Sequence, residues 1–433
     1  MPPLDAGRGR RDKRVMSPAP PSHDLIIVGA GLTGGALALA ATQGGLRVVL
    51  IDPQPFEVQL APTFDGRSTA IAFSTFRMLD ALGLGEALRP HACRMDRILV
   101  TDGRRPGAAT GTAHSAWLRF DADEIGERTG GEPLGYMIEN RRIRAALAER
   151  LIAEGVEVLA PASATSVQVG PGRAEVMLAD GRRLTAPLVV GAEGRGSLVR
   201  RAAGIETLGW SYGQSGVVAT VSLGRDHGHV AHEHFLPAGP FAILPLTEQR
   251  ASLVWTETTR RAEALRDASG AAFHAHLMRR FGDFLDDVTV VGPRFVYPLS
   301  LSLAERMTAP RIALIGDAAH AVHPVAGQGL NMGLKDVAAL AEVLTEAVRL
   351  GEDIGSEIVL ERYARWRRFD NAALAAGFDA FVRLFSNDVA PVRLARNLGM
   401  AVVNRIPPLR RAFMQEAGGA NGDLPRLLRG EAL

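Results

Sequence analysis

The sequence contains one cysteine, Cys93, and two lysines, Lys13 and Lys335, among its 433 residues. A single cysteine excludes an intrachain disulfide and a cysteine-rich metal site, and it fits a reducing compartment. The formal net charge of +2 is too small to suggest a protein that binds nucleic acid. We therefore expect a globular protein without a metal centre and without a nucleic-acid partner.

Several motifs and segment types are also missing. There is no zinc-ligand spacing, no GxSxG elbow and no P-loop, so hydrolase and phosphoryl-transfer chemistry lack their usual groups. Residues 1–22 are rich in Arg, Pro and Gly and have no apolar core, which predicts a disordered tail and not a secretory signal. Residues 25–45 are apolar, but their glycines and strand-like first half argue against a membrane span.

A nucleotide-binding pattern follows the tail. Residues 24–28 form a short apolar strand that leads into Gly29, Gly31 and Gly34 and then a helix of small residues. These glycines allow a tight turn, close backbone approach to a pyrophosphate and packing of the helix on the strand. A second strand, residues 47–51, ends in Asp52, which is placed to bind ribose hydroxyls. This pattern predicts a dinucleotide site and leaves FAD and NAD both open.

A second glycine-rich segment, residues 311–336, indicates which dinucleotide it is. An apolar strand ends at Gly316-Asp317, and the turn Gly327-Gln328-Gly329 precedes a periodic apolar helix over residues 330–344. An NAD domain would be complete within about 150 residues of its fingerprint, whereas this segment lies almost 300 residues further on. The distance favours FAD, which has to be held at both ends.

Residues 311–336 closely resemble the second FAD motif of the aromatic-ring flavin hydroxylases, which have the para-hydroxybenzoate hydroxylase fold. The stretch HAVHPVAGQGLN, residues 320–331, is most similar to the ubiquinone-biosynthesis branch of that family. Residues 239–246 with Val254-Trp255-Thr256, and the LFSND stretch at residues 384–388, support the same resemblance, which extends from Asp24 to about Gly418.

The resemblance implies a mixed α/β (α+β) fold: a Rossmann-like FAD-binding domain, an inserted antiparallel β-sheet substrate domain and a helical C-terminal region. The FAD-binding domain is expected to comprise residues 24–92, 136–203 and 294–369. The substrate domain is expected at residues 93–135 and 204–293, where apolar and polar residues alternate as in antiparallel strands. Residues 370–433 are expected to form the helical C-terminal region, and residues 1–22 the disordered tail.

The resemblance also assigns cofactor contacts. Asp317 would contact the ribityl or pyrophosphate group, Arg67 the pyrophosphate, and Asn140 the surroundings of the flavin. In the intermediate motif, Glu193 stands before Gly194 where the family usually has Asp. The complete predicted FAD set is Gly29, Gly31, Gly34, Asp52, Arg67, Asn140, Glu193, Gly194, Gly316, Asp317, Gly327, Gln328, Gly329, Leu330 and Asn331.

For the reaction, the resemblance implies a monooxygenase in which NAD(P)H binds transiently and reduces FAD. Reduced FAD then captures O₂ as a C4a-hydroperoxide that an electron-rich phenol attacks. Pro324 would border the oxygen site, and backbone N–H groups at Gly327 and Gly329 would stabilise the reduced flavin. His323 is a candidate for proton transfer, with ordering of the loop backbone as the alternative role for it and for His320.

The substrate implied is a polyprenyl phenol, with other ubiquinone-biosynthesis proteins as partners. The residues predicted to line its pocket are His234, Phe235, Phe241, Leu244 and Pro245. We expect a cytoplasmic protein with peripheral contact at the inner face of the cell membrane, made by apolar residues and arginines of the C-terminal helices. Docking of those helices on the FAD-binding domain is the alternative. Alternative functions are hydroxylation of a small soluble phenol, flavin redox chemistry without oxygen insertion, and a non-catalytic FAD-holding subunit.

Overall fold

The computed structural model describes residues 23–60, 66–102, 118–236, 238–282, 285–322, 328–368, 403–419 and 422–433. Within these ranges the β-strands are β1 (Leu25–Val28), β2 (Val48–Ile51), β3 (Ser68–Ala72), β4 (Cys93–Met95), β5 (Arg97–Asp102), β6 (Leu118–Asp121), β7 (Gly135–Glu139), β8 (Glu157–Leu159), β9 (Ala164–Val169), β10 (Ala174–Leu178), β11 (Arg183–Ala186), β12 (Leu188–Gly191), β13 (Thr207–Leu223), β14 (Val230–Leu236), β15 (Gly239–Leu246), β16 (Arg250–Thr258), β17 (Val288–Ala304), β18 (Thr308–Ala309), β19 (Ile312–Leu314) and β20 (His320–Ala321).

The α-helices of the same ranges are α1 (Leu32–Gln43), α2 (Glu57–Leu60), α3 (Phe73–Ala81), α4 (Gly85–Leu88), α5 (Gly126–Thr129), α6 (Asn140–Ala153), α7 (Leu198–Ala202), α8 (Thr259–Asp267), α9 (Gly270–Phe281), α10 (Gln328–Arg349), α11 (Pro407–Ala417) and α12 (Arg426–Arg429). Short 3₁₀ turns occur at Arg89–His91, Ala122–Glu124 and Gly316–Ala318.

A six-stranded sheet of order β18-β19-β12-β1-β2-β8 forms the centre of the first part of the molecule. Strands β19, β12, β1, β2 and β8 run parallel, and β18 adds an antiparallel edge. All four residues of β1, β2 and β12 are buried, because helices α1, α6 and α10 cover one face and α7 with the β9–β11 ribbon packs on the other. The predicted strand at residues 24–28 is confirmed as β1, and β10 and β11 form a hairpin around Asp180-Gly181.

An eight-stranded sheet forms the second part, in the order β20-β17-β13-β16-β15-β14-β5-β6. Its pairs are antiparallel except for β14 with β5, which run parallel. Strands β13, β14, β15 and β16 all lie in residues 204–293, where the alternation of apolar and polar residues predicts antiparallel strands. Helices α8 and α9 cover one face, around Trp255, Phe273 and Phe281.

A small sheet of order β3-β7-β4 lies between the two larger sheets. On one side it joins the core around α3 and α6 through Ile71, Tyr136 and Ile138. On the other side Met137 packs with Ala231 of β14 and with Leu246 of β15. The small sheet therefore connects the parallel sheet with the uncovered face of the eight-stranded sheet.

Candidate active site

The first glycine motif forms a backbone turn in which Gly29 and Gly34 leave no room for a side chain. Gly29 has φ +105°, and a Cβ on it would lie 2.6 Å from the Ala192 carbonyl carbon. A Cβ on Gly34 would lie 1.8 Å from the Gly29 oxygen, whereas one on Gly31 meets nothing within 4 Å. Gly29 and Gly34 therefore serve packing, while Gly31, exposed at the start of α1, leaves the helix's first amides open to an anion.

Asp52 holds this turn from the neighbouring strand. One carboxylate oxygen accepts a hydrogen bond from the Ala30 N–H at 2.7 Å, and the other accepts one from the Gln54 N–H at 2.8 Å. The side chain stays partly exposed beside the turn. A carboxylate has further lone pairs, so Asp52 can still accept from ribose hydroxyls, as the sequence predicts.

The structure brings the two glycine-rich motifs into contact. Gly316 has φ +57°, and a Cβ on it would lie 3.0 Å from the Thr33 hydroxyl oxygen near the start of α1. On α10, a Cβ on Gly333 would lie 2.6 Å from Thr33 Cγ2. The end of β19, the start of α1 and helix α10 thus meet at a point where only glycine fits. Asp317, which follows Gly316, therefore lies beside the N-terminus of α1. The two glycine motifs together fit a dinucleotide that spans both of them.

Asp317 points outward from this point. Its side chain is exposed but has protein on most sides, and that desolvation raises the pKa of its carboxyl, while nearby Arg195 and His320 act in the opposite direction. The Arg195 guanidinium donates to the Ser300 hydroxyl at 2.7 Å. The site therefore has an acceptor, suited to ribityl or ribose hydroxyls, next to a cation.

A buried charged cluster fixes the backbone behind Asp317. Asp336 of α10 has no exposed surface; it accepts from the Gly316 N–H at 3.0 Å, from His320 Nε2 at 2.5 Å and from Arg367 Nε at 2.9 Å. Burial would raise the pKa of Asp336, but His320 and Arg367 outweigh it and hold the pKa below its usual range. His320 thus orders the backbone, which was the alternative role predicted for it. The sequence did not predict this cluster, because its members are distant in the chain and share no local pattern.

The start of α10 is held by the small sheet. The Asn331 side chain accepts from the Ala72 N–H at 2.9 Å and donates to the Ala70 carbonyl at 2.7 Å, both on β3. Leu330 is partly buried against the core of the parallel sheet. Asn331 therefore positions the start of α10. Three residues of the predicted catalytic loop, His323, Pro324 and Gly327, lie outside the described residues.

Arg67 and Asn140, far apart in sequence, are neighbours in space. The Arg67 carbonyl accepts from the Asn140 N–H at 2.9 Å, and the Asn140 side-chain oxygen accepts from the Thr69 hydroxyl at 2.7 Å. The Arg67 side chain is exposed. Both residues stand at the same end of the β3–β7 pair, where an arginine can reach a phosphate.

Glu193 is directed toward protein backbone. Its Oε1 accepts from the Val199 N–H of α7 at 2.8 Å, and its buried Oε2 has no hydrogen-bond partner within the described ranges. Gly194 has φ +81° and open space around it. Arg200 of α7 donates to the Ala318 carbonyl at 2.9 Å, so this segment supports the Gly316-Asp317 turn.

The predicted substrate residues do not share one face of the eight-stranded sheet. Phe241 packs with Trp255 and Phe281 on the face covered by α8 and α9, and His234 stacks on Phe241 with ring centroids 6.2 Å apart. Strand alternation places Pro245 on the same face as Phe241. Phe235 and Leu244 belong to clusters on the opposite face, toward the small sheet. Of the five, only these two therefore lie on the face opposite α8 and α9.

The comparisons with known proteins agree with this architecture. A model of the FAD binding domain family matches residues 22–374, more than half of the chain. In solved structures, the p-nitrophenol 4-monooxygenase of Pseudomonas putida DLL-E4 superposes with a TM-score of 0.75, at 21% identity, over 92% of this chain and 98% of that chain. A probable FAD-dependent monooxygenase of Pseudomonas aeruginosa gives a TM-score of 0.71, at 23% identity, over 87% and 99%.

Curated relatives are similar over nearly their whole length. A ubiquinone hydroxylase of Rhodospirillum rubrum is 46% identical over 414 residues, which are 95% of this chain and 93% of the relative. The 3-demethoxyubiquinol 3-hydroxylase of Escherichia coli K12 is 36% identical over 92% and 98%. The human mitochondrial ubiquinone biosynthesis monooxygenase COQ6 is 32% identical over 90% and 92%. The chain belongs to the FAD binding domain family of flavin-dependent hydroxylases. It is an FAD-dependent monooxygenase with the fold that the sequence predicts.

Proposed function

We propose that this protein hydroxylates the aromatic ring of a polyprenyl phenol in ubiquinone biosynthesis, with FAD as resident cofactor, NAD(P)H as transient reductant and O₂ as co-substrate. The observation that carries the proposal is the 46% identity, over 95% of the chain, to a protein named as a ubiquinone hydroxylase. Bound FAD supplies the oxygen chemistry. The protein's own residues hold the two ends of the cofactor, exclude water and position the ring.

The face of the eight-stranded sheet opposite α8 and α9 supports a lipid-like substrate. Its apolar side chains include Val100, Ala231, Phe235, Leu244 and Leu246, of which Ala231, Leu244 and Leu246 pack with Met95 and Met137 of the small sheet. A surface of this kind suits the hydrocarbon part of a polyprenyl phenol.

The arginines around this region favour the polyprenyl phenol over a small soluble phenol that carries a carboxylate. Arg94 of β4 is ion-paired with Asp96 at 3.0 Å, and Arg250 of β16 is ion-paired with Glu139 at 3.1 Å. An arginine that recognises a substrate carboxylate would have to be available for it. The small soluble phenol remains the second candidate, and the same assay separates the two.

The test uses the purified protein loaded with FAD. We expect a short-chain polyprenyl phenol to accelerate the bleaching of the flavin band by NAD(P)H, and oxygen-18 from O₂ to enter the hydroxylated ring. Bleaching that no phenol or quinol lipid affects, with no labelled product, would contradict the proposal. Acceleration by a soluble phenol but by no prenylated one would support the second candidate.

Membrane contact is a separate part of the proposal. No helix within the described ranges is both long enough and apolar enough to cross a bilayer. Helix α11 and the residue before it expose Ile406 (44%), Leu409 (39%) and Phe413 (51%) at helical spacing, beside exposed Arg411 and Arg405. This combination suits the surface of an anionic membrane, where apolar side chains enter the interface and arginines meet lipid phosphates.

Flotation with vesicles tests this contact. The protein should float with vesicles that contain phosphatidylglycerol and less with purely zwitterionic ones, and Leu409→Ser with Phe413→Ser should abolish flotation. As a control, Arg410→Gln removes an arginine that is already engaged with Glu124 at 2.7 Å and should not reduce flotation specifically. Equal flotation of the double variant would contradict a role for this helix.

A further inference from the structure

Glu233 occupies the middle of β14 on the side opposite its two histidine neighbours. β14 is flanked by β15 and β5, and Glu233 is paired with Ala242 and Val100. His234 stacks on Phe241, toward α8 and α9. Successive side chains of a strand point to opposite faces, so Glu233 projects from the other face together with Ala231 and Phe235.

That face is the one that approaches the FAD-binding region. Ala231 belongs to one apolar cluster with Met137 of β7, against which Ala70 of β3 also packs. Ala70 is the residue whose carbonyl accepts from Asn331 at the start of α10. Ala231, two residues before Glu233 on the same face, is thus connected through the small sheet to the start of α10.

The carboxyl of Glu233 has apolar surroundings and no protein partner within the described residues. Its cross-strand neighbours are Ala242 and Val100, and Phe235 and Leu244 lie on the same face. It forms no hydrogen bond or ion pair within those ranges, and its side chain is only partly buried. Burial raises the pKa of Glu233 to about 8. A carboxyl in such surroundings is a candidate for binding a ligand.

We propose that the Glu233 carboxyl donates a hydrogen bond to an oxygen substituent on the aromatic ring of the substrate and thereby determines which rings bind and how they lie. The inference rests on the proposed function, since it takes an oxygenated ring as the ligand. A polar group that is left without a partner when the oxygen is missing discriminates strongly against the deoxygenated analogue. Glu233 is thus a specificity-determining residue, distinct from the groups that hold FAD.

Binding through Glu233 should weaken as the pH rises, and other ionisable groups on the surrounding strands could contribute to a pH dependence. They are Cys93 and Arg94 on β4, Arg97 and Asp102 on β5, Tyr136 and Glu139 on β7, and His232 and His234 on β14 itself. Burial raises the pKa of Cys93 to about 12 and lowers those of His232 and His234 to about 3 and 4. Glu139 is ion-paired with Arg141 and Arg250. Strand β15 contributes no ionisable residue. Between pH 7 and 9 we therefore expect binding to follow the titration of Glu233.

The experiment measures binding and not turnover. The FAD-loaded protein is titrated with a short-chain polyprenyl phenol, without NAD(P)H, and the perturbation of the flavin spectrum gives Kd from pH 6 to 9. For the wild type we expect a constant Kd below pH 7 and about tenfold weaker binding at pH 9, where about one tenth of a carboxyl with a pKa of 8 remains protonated. The change should appear as a loss of affinity toward high pH because the donor proton is lost.

Three variants define the outcomes. Glu233→Gln keeps a donor and should bind with a flat pH profile; Glu233→Leu should bind at least about tenfold more weakly at pH 7 and no longer distinguish the ring from its deoxygenated analogue. Glu263→Gln, an exposed change on α8, should match the wild type. Wild-type affinity and discrimination in Glu233→Leu would overturn this inference alone. Failure of the wild type to bind any polyprenyl phenol would overturn it together with the proposed function.

Discussion

The cluster around Asp336, beside the parallel sheet, and strand β14 of the eight-stranded sheet treat buried polar groups in opposite ways. Around the parallel sheet, buried charges are ionised and paired: Asp336 has His320, Arg367 and a backbone N–H around it. On β14, burial keeps His234 and Glu233 in their neutral forms at pH 7. Paired charges fix backbone in one position, whereas neutral polar groups in apolar surroundings can accept a ligand that is itself mostly apolar. This contrast fits the proposal that the Asp336 cluster supports a rigid cofactor site and that Glu233 selects the substrate.

The strongest test of this comparison removes the paired charge. Asp336→Asn leaves Arg367 buried without a counter-charge, and we expect a loss of about 3–5 kcal/mol in the free energy of unfolding. FAD should also be released more easily, because Gly316 loses its anchor. Urea unfolding followed by circular dichroism and by flavin fluorescence measures both effects.

A matched control for Asp336→Asn is Asp180→Asn, which breaks an aspartate–arginine pair in which both side chains are half exposed. Exposed pairs contribute little, so the control should leave the unfolding midpoint unchanged. If both variants unfold alike, the Asp336 cluster does not anchor the cofactor side.

The neutral histidine provides the second test, through pH. His234 has no exposed surface, and its pKa is lowered to about 4 from the ordinary 6.5. Between these two values the unfolded state binds more protons than the folded state, so the stability that is present above pH 6.5 is lost as the pH falls toward 4. The contribution of this residue to that loss is about 3 kcal/mol.

His234→Gln removes the titrating group, so its unfolding free energy should fall less steeply than that of the wild type from pH 6.5 to 4. The comparison between the two proteins cancels the carboxylates that titrate in the same range. Identical pH slopes would mean that His234 is protonated in the folded state, and the contrast between the two sheets would fail there.

The third test separates packing from binding within the first glycine motif. Gly34→Ala places a Cβ against the Gly29 carbonyl and should destabilise the protein by about 1–3 kcal/mol, with or without FAD. Gly31→Ala meets no protein atom within 4 Å and should change stability without FAD by no more than about 1 kcal/mol. It should nevertheless weaken FAD binding at least about tenfold, because the Cβ occupies the space in front of the helix amides.

Isothermal titration of the FAD-free proteins and their thermal unfolding give these two quantities. Gly31→Ala with wild-type FAD affinity would contradict the placement of the pyrophosphate at the start of α1.

The backbone of the glycine turns could be predicted from the sequence, whereas the orientation of side chains on the eight-stranded sheet could not, for a physical reason. Turns such as Gly29 to Gly34 and Gly316-Asp317 are local, because their glycines and the strand–turn–helix context fix the backbone. The orientation of His234 and Phe241 depends on which face of the sheet α8 and α9 cover, and that depends on contacts made by distant segments. The sequence prediction included His234 but not Glu233, although strand alternation places these two side chains on opposite faces. The roles of Asp336 and Asn331 depend on tertiary contacts that no local sequence pattern contains.

The smallest expected effect concerns Glu193. One of its oxygens accepts from the Val199 N–H and the other is buried without a partner in the described part of the chain, so its carboxylate serves α7 more than a cofactor. Glu193→Asp restores the residue usual in the family but withdraws the carboxylate from that amide, and should cost about 1 kcal/mol in unfolding free energy while FAD affinity stays unchanged. Ser197→Ala, which removes the other cap of the same helix, should cost a similar amount. If Glu193→Asp keeps its stability and changes FAD affinity, Glu193 lies in the cofactor site. The longer side chain of Glu193 would then affect FAD binding and not the capping of α7.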